Sequence, residues 1–215
     1  MLQDSAVDKL LGLDPETVID YERKNQCDPE FALNPRIRDS WVGLASNVLN
    51  TSYQDLFDLL TALNLPAGTR VVDLGSGFGR LGLVIGLGFA GLEFTGVECW
   101  QHRLQAAQEI AKKMQMSNVH FEHGDLLSGD YQIPEADIYF SYLTSSDPQS
   151  LKSILEKLIQ THNRNYFRLV TKKVAPDLMN RLAPSLSLLK THGNTLGPFF
   201  IYEHNPISSI TENQA

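Results

Sequence analysis

The chain has 215 residues, 42% of them hydrophobic and 20% charged, with a formal net charge of −7 at pH 7. That length suits one full-sized domain with room for a small appendage, and the apolar content is enough for a core. The acidic balance argues against a protein that coats DNA or RNA through its whole surface, although residues 147–192 carry eight Lys or Arg against three acids. Cys27 and Cys99 make neither a disulfide framework nor a metal-ligand spacing, so both are expected as reduced thiols. No basic region precedes an apolar N-terminal core, and no stretch reaches the length of a membrane span. These features predict a soluble, cytoplasmic chain without membrane partners.

Residues 1–65 read as helical. Asp14-Pro15-Glu16 is a cap with proline at the first helical position and opens a helix through about Gln26. Residues 28–35 are a turn-rich joint. Trp41, Leu44, Ala45, Val48 and Leu49 then share one helical face, as do Leu56, Phe57, Leu59, Leu60 and Leu63, with Thr51-Ser52-Tyr53 between the two. We expect residues 1–65 to be an N-terminal helical cover, 66–205 the main domain and 206–215 a flexible tail.

From Thr69 the period changes. Residues 70–74 read as a first strand, 79–90 as a glycine-rich helix, 93–98 as a second strand and 101–116 as an amphipathic helix with Leu104, Ala107, Ile110, Ala111 and Met114 inward. A third strand over 119–122 leads into His123-Gly124-Asp125. The near-continuous apolar run 137–143 suits a central parallel strand buried on both faces. Asp147-Pro148 caps the next helix, 166–171 is a fifth strand, and a segment containing Pro176 and Pro184 precedes two late strands over 186–190 and 199–203. This alternation predicts an α/β, Rossmann-like, seven-stranded and mostly parallel sheet with helices on both faces.

The chemistry concentrates in Val71-Val72-Asp73-Leu74-Gly75-Ser76-Gly77-Phe78-Gly79-Arg80, an apolar strand ending in an acid, a glycine turn and a helix start. Gly77-Phe78-Gly79-Arg80-Leu81-Gly82 also satisfies the dinucleotide fingerprint, with Glu98 placed about 20 residues on, where an acid takes a ribose. Asp73 argues against NAD, because its carboxylate would face the pyrophosphate at close range. The same carboxylate suits S-adenosylmethionine (SAM), which carries an ammonium and a cationic sulfur.

From about Thr51 to His204 the chain resembles the class I SAM-dependent methyltransferases, through Asp73-Leu74-Gly75-Ser76-Gly77-Phe78-Gly79, the acid Glu98 ending the second strand and Asp125 after the third. The resemblance implies that Asp73, Gly75 and Gly77 hold the methionine half of SAM, with Ser76 and Gly79 also binding the cofactor. It also implies that Glu98 accepts from the ribose hydroxyls, beside Cys99, and that Asp125 accepts from the adenine amine, with Leu126 flanking the ring. A carboxylate suits a diol because it offers two acceptor oxygens and no donor. Arg80 is either a solvated charge or a group pointing into the site, and His123 reads as a polar loop residue. No metal-ligand cluster is present in the sequence.

In this fold the acceptor side forms from the end of the fourth strand, here Ser141-Tyr142-Leu143-Thr144, and from the N-terminal cover. The chain lacks the Asn/Asp-Pro-Pro-aromatic motif common among enzymes that methylate base or glutamine nitrogens, which argues against those acceptors. Thr51-x-Tyr53, the strand-turn motif and Gly96-Val97-Glu98 loosely resemble the non-SET protein lysine methyltransferases over residues 51–145. Tyr142, Tyr53 and Ser141 are therefore the catalytic-side candidates, with a small metabolite or a protein lysine amine as acceptor and a nucleic acid disfavoured. A NAD-type dinucleotide-binding protein and a catalytically silent SAM-binding module are the alternatives.

Overall fold

The computed structural model describes residues 4–11, 13, 51–142, 147–162, 165–172, 174–193 and 197–206. The helices expected over 14–26 and 41–49, Cys27, Leu143, Thr144 and the tail beyond 206 lie outside the described residues.

The described elements are α1 (Asp4–Leu11), α2 (Tyr53–Leu63), β1 (Arg70–Leu74), α3 (Arg80–Gly88), β2 (Glu93–Glu98), α4 (Gln101–Lys113) and β3 (Val119–His123). They continue with β4 (Ile138–Ser141), α5 (Pro148–Thr161), β5 (Phe167–Lys172), α6 (Pro176–Leu182), β6 (Leu186–His192) and β7 (Phe199–His204). The seven strands form one sheet in the order β3-β2-β1-β4-β5-β7-β6. Neighbours from β3 to β5 pair parallel, and β7 runs antiparallel to both β5 and β6. The chain walks outward from β1 through β2 to β3, then restarts on the other side of β1 with β4. The carboxyl ends of β1 and β4 are thus a topological switch point, where open α/β sheets take ligands.

One core packs α2, α3 and α4 on one face of the sheet, and a second packs α5 and α6 on the other. Helix starts follow their caps. Ser52 accepts from the Asp55 N–H at 3.0 Å, and Asp147 accepts from the Ser150 N–H at 2.8 Å ahead of Pro148. Helix α4 stops at Lys113, short of the expected Met116, and Gln115 turns left-handed at φ 56°. Met114 is consequently 40% exposed instead of inward, while Met116 swings in and fills the space beside Gly86. Helix α6, opened by Pro176, has only seven residues, too few for an apolar period to register in the sequence.

Helix α1 is fastened directly to the start of α3. Asp4 and Asp8 lie one turn apart on it and both face Arg80, the first residue of α3. Arg80 donates to Asp8 Oδ2, lies 3.6 Å from Asp4 and donates to the Thr51 carbonyl at 3.1 Å. Its guanidinium sits 4.4 Å from the centre of the Tyr53 ring, and the Tyr53 hydroxyl donates to Asp8 Oδ1 at 3.0 Å. Arg80 is therefore neither a solvated charge nor a group aimed into the site. Asp8 is buried, and that burial pushes its carboxyl up against the opposing pull of Arg80. Breaking a buried pair by removing one partner leaves an uncompensated charge. Asp8→Ala should accordingly cost about 3 kcal/mol in urea unfolding; a loss below about 1 kcal/mol would reduce this contact to the worth of a surface pair.

Candidate active site

Side chains alternate across a strand, so register fixes what shares a face. Asp73 pairs with Gly96 on one side and Phe140 on the other, and Phe140 pairs with Val170. Two residues further along each strand lie Glu98, Tyr142 and Lys172. Glu98, Tyr142 and Lys172 therefore share with Asp73 the face that α2, α3 and α4 cover, at its carboxyl edge and two residues beyond the Asp73 row. Ser141 falls on the opposite parity and points to the other face.

The turn after β1 is built by backbone. Gly75, Gly77 and Gly79 adopt φ of 88°, 55° and 80°, a region costly for residues with a Cβ. Gly79 has a second reason: a Cβ there would sit 2.5 Å from the Phe121 ring. At Gly77 a Cβ would meet no atom of the described residues within 4 Å. The N–H groups of Gly75 and Ser76 both donate to the Val97 carbonyl at 2.9 Å. Glu98, buried, then joins this turn to the one after β2: its Oε2 accepts from the Gly77 N–H at 2.8 Å and its Oε1 from the Trp100 N–H at 2.9 Å. A carboxylate oxygen has two lone-pair directions, so Oε2 keeps one for a further donor. Arg103 braces the same junction, its guanidinium 5.7 Å from the Phe78 ring and 4.8 Å from the Trp100 ring.

Three buried polar atoms around this turn have no hydrogen-bond partner among the described residues: Asp73 Oδ1, Ser76 Oγ and the Tyr142 hydroxyl. Asp73 is 4% exposed, and burial, with Glu98 adding like charge, pushes its carboxyl up to about 8. Burial and the nearby Asp73 push the Tyr142 phenol well above 10. Tyr142 packs edge-on against Phe140 and Phe199, with ring centres 5.8 and 5.7 Å away. Beyond Phe199 lies Lys172, buried, with Nζ 3.3 Å from Thr51 Oγ1. Sequence reading passed over Lys172, although a lysine closing an apolar strand is a signal in itself.

The remaining residues singled out in the sequence lie on the β2 and β3 side. The Cys99 thiol donates to Glu98 Oε1 at 3.6 Å, and burial pushes it up, so it stays protonated. Asp125 follows β3 and accepts the Leu127 N–H at 2.9 Å, while Leu126 is buried in the core under α5. His123 Nε2 is 2.8 Å from the Cys99 carbonyl on the exposed rim. Tyr53 stands apart from these, its hydroxyl committed to Asp8 as described. Among the described residues no group of three or more His, Cys, Asp or Glu could hold a metal ion, and no helix is long and apolar enough to cross a membrane.

Comparison with known proteins bears on the family and the fold. A family model described as a methyltransferase domain covers residues 65–194. Over 67 residues, 30% of this chain, the sequence is 40% identical to a 23S rRNA (uracil(1939)-C(5))-methyltransferase of Shewanella denitrificans. The match spans only 14% of the length of that curated relative. Among solved structures, a SAM-dependent methyltransferase from Aquifex aeolicus superposes with a TM-score of 0.54 at 16% identity, covering 74% of this chain and 95% of that one. Coclaurine N-methyltransferase bound to N-methylheliamine and S-adenosylhomocysteine (SAH) superposes with a TM-score of 0.53 at 15% identity, covering 65% of this chain and 50% of that one. Those two likenesses are of fold, whereas the family match covers more than half of the sequence. The chain belongs to the methyltransferase domain family.

Proposed function

We propose that the chain transfers the methyl group of SAM to an acceptor that approaches beside Tyr142 under the N-terminal cover, the acceptor being a small metabolite or a protein lysine amine. The observation that carries the reading is the cluster of Asp73 Oδ1, Ser76 Oγ and the Tyr142 hydroxyl, buried without partners among the described residues around the glycine turn. Native proteins pair nearly all such groups, so a cluster of exceptions at a switch point asks for a ligand.

The residues fit SAM. When bound, SAM supplies a methyl group on a cationic sulfur. Asp73 would hold the ammonium of its methionine half, with Ser76 and the backbone of Gly75, Gly77 and Gly79 beside it. Glu98 would accept from the ribose hydroxyls, through the free direction on Oε2 and, where the weak Cys99 thiol contact yields, through Oε1. Asp125 would accept from the adenine amine, and Leu126 would flank the ring. Tyr142 stays a neutral phenol, so it would orient an acceptor by hydrogen bonding without acting as a base. An amine attacks in line only with its lone pair free. The Tyr142, Phe140 and Phe199 rings favour that neutral form by desolvation. Tyr53 remains a wall of the cover in this reading, and Ser141 supports the strand end.

An RNA acceptor is the second reading, favoured by the rRNA methyltransferase to which part of the chain is similar. SAM labelled with tritium in its methyl group, incubated with the chain and separate pools of metabolites, protein and RNA, distinguishes the readings by where the label goes. Label in the metabolite or protein pool is the expected result; label in RNA alone moves the acceptor to the second reading. Tight SAH binding with no label transferred would make the chain a silent binding module.

The cofactor side is tested independently by calorimetry. Asp73→Ala and Glu98→Ala should each weaken SAH binding by about 1.5 kcal/mol or more, the worth of a charged hydrogen bond. Unchanged affinity in both, or stronger binding of NAD, would contradict the assignment. Tyr142→Phe should reduce turnover while leaving SAH affinity within about twofold, since its hydroxyl is assigned to the acceptor and uniform cofactor binding is kept.

A further inference from the structure

We infer that Lys157 on α5 is a positioning residue for adenine: it sets the shape of the loop over residues 124–131 and thereby holds Asp125 where the adenine amine is read. The inference rests on the SAM site proposed above and concerns a residue outside it.

Lys157 is half-buried and reaches across 26 to 31 residues of sequence to the loop after β3. Its ammonium donates to three main-chain carbonyls, those of Leu126 at 3.1 Å, Tyr131 at 3.1 Å and Ser128. An ammonium has three N–H donors, and all three are used. The loop has wrapped its carbonyls inward around one cation, and inward-facing carbonyls require donors that water no longer supplies. A surface lysine on an amphipathic helix would do none of this.

The rest of the loop is held from other directions. The Gly124 N–H donates to the Glu98 carbonyl at 3.1 Å, and the Ser128 N–H donates to the Asp125 carbonyl at 2.9 Å. The Leu127 N–H orients Asp125 Oδ1 at 2.9 Å. The Tyr131 ring lies where a Gly124 side chain would be, 2.4 Å from that Cβ position, and its hydroxyl donates to Glu122 Oε1 at 2.5 Å. Asp125 therefore sits between two anchored ends. The near end is tied to Glu98, the proposed ribose ligand, and the far end to Lys157. Releasing the far end leaves ribose contacts in place and lets Asp125 wander, so the loss should fall on adenine recognition.

The test compares binding of SAH with that of S-inosylhomocysteine, whose 6-oxo group replaces the adenine amine. The wild type should prefer SAH. Lys157→Met keeps the length of the side chain and removes every donor. It should weaken SAH by about tenfold or more, and S-inosylhomocysteine by less than about threefold, so that the preference narrows. A folded variant in which both affinities fall together, or neither falls, overturns the inference. Lys157→Arg keeps the charge, but its planar fork cannot meet three convergent carbonyls. It covers the case in which Lys157→Met does not fold: a narrowed preference is expected, and an unaltered one overturns the inference. A wild type that binds neither ligand contradicts the SAM site itself. A wild type that binds SAH without preferring it leaves the SAM site standing and removes Asp125, and Lys157 with it, from adenine recognition.

Discussion

A carboxylate buried at the end of β1, with one oxygen lacking a partner among the described residues, is the constraint on which the site depends. Burying an isolated charge is costly, and a group so placed takes up a proton instead. Asp73 does so, with its carboxyl pushed up to about 8 by burial and by the like charge of Glu98. The folded chain therefore keeps a proton that the unfolded chain releases near the ordinary value of 3.8. Its ligand-free stability must fall as pH rises from about 4 towards about 8. A cation lodged against Asp73 would instead favour its charged form. The fold thus carries a local cost that protonation or a positively charged ligand relieves, the trade commonly found where stability yields to function.

Everything around Asp73 keeps that carboxylate in place and dry. The glycine turn hangs on the Val97 carbonyl, and Glu98 ties it to the turn after β2, so two loops from different strands are joined. Arg103, between Phe78 and Trp100, clamps the same junction from α4. On the other side Arg80, immediately after Gly79, carries the buried attachment of α1. Attachment of α1 and the glycine turn thus meet at adjacent residues, Arg80 and Gly79, without any direct contact between Asp8 and Asp73 being required.

How much of this was legible in the sequence depended on how local the cause was. The β1 and β2 boundaries coincide with their apolar runs, because a buried strand flanked by turn residues leaves few other readings. Asp73 and Glu98 were legible for the same reason, since the strand-acid-glycine pattern is continuous in the chain. Met114 was misjudged because one left-handed residue, Gln115, ended α4 early and handed the buried position to Met116. Helix α6 was too short to show a period. Tyr53 reads in the sequence as a catalytic-side candidate, and the partner of its hydroxyl, Asp8, lies 45 residues away where no local pattern announces it. Lys157 was invisible because its three carbonyl partners lie in a different element, and its own helix reads as an ordinary amphipathic one.

The central claim is that Asp73 waits, protonated, for a cationic ligand. Calorimetric titration of SAH at pH 7, in two buffers of different ionisation enthalpy, measures this directly. Binding should release roughly one proton per chain, because the ammonium draws the Asp73 carboxyl down from about 8 to below the working pH. Asp73→Asn should abolish most of that release. Binding without proton release in the wild type, or equal release in the variant, would contradict the account.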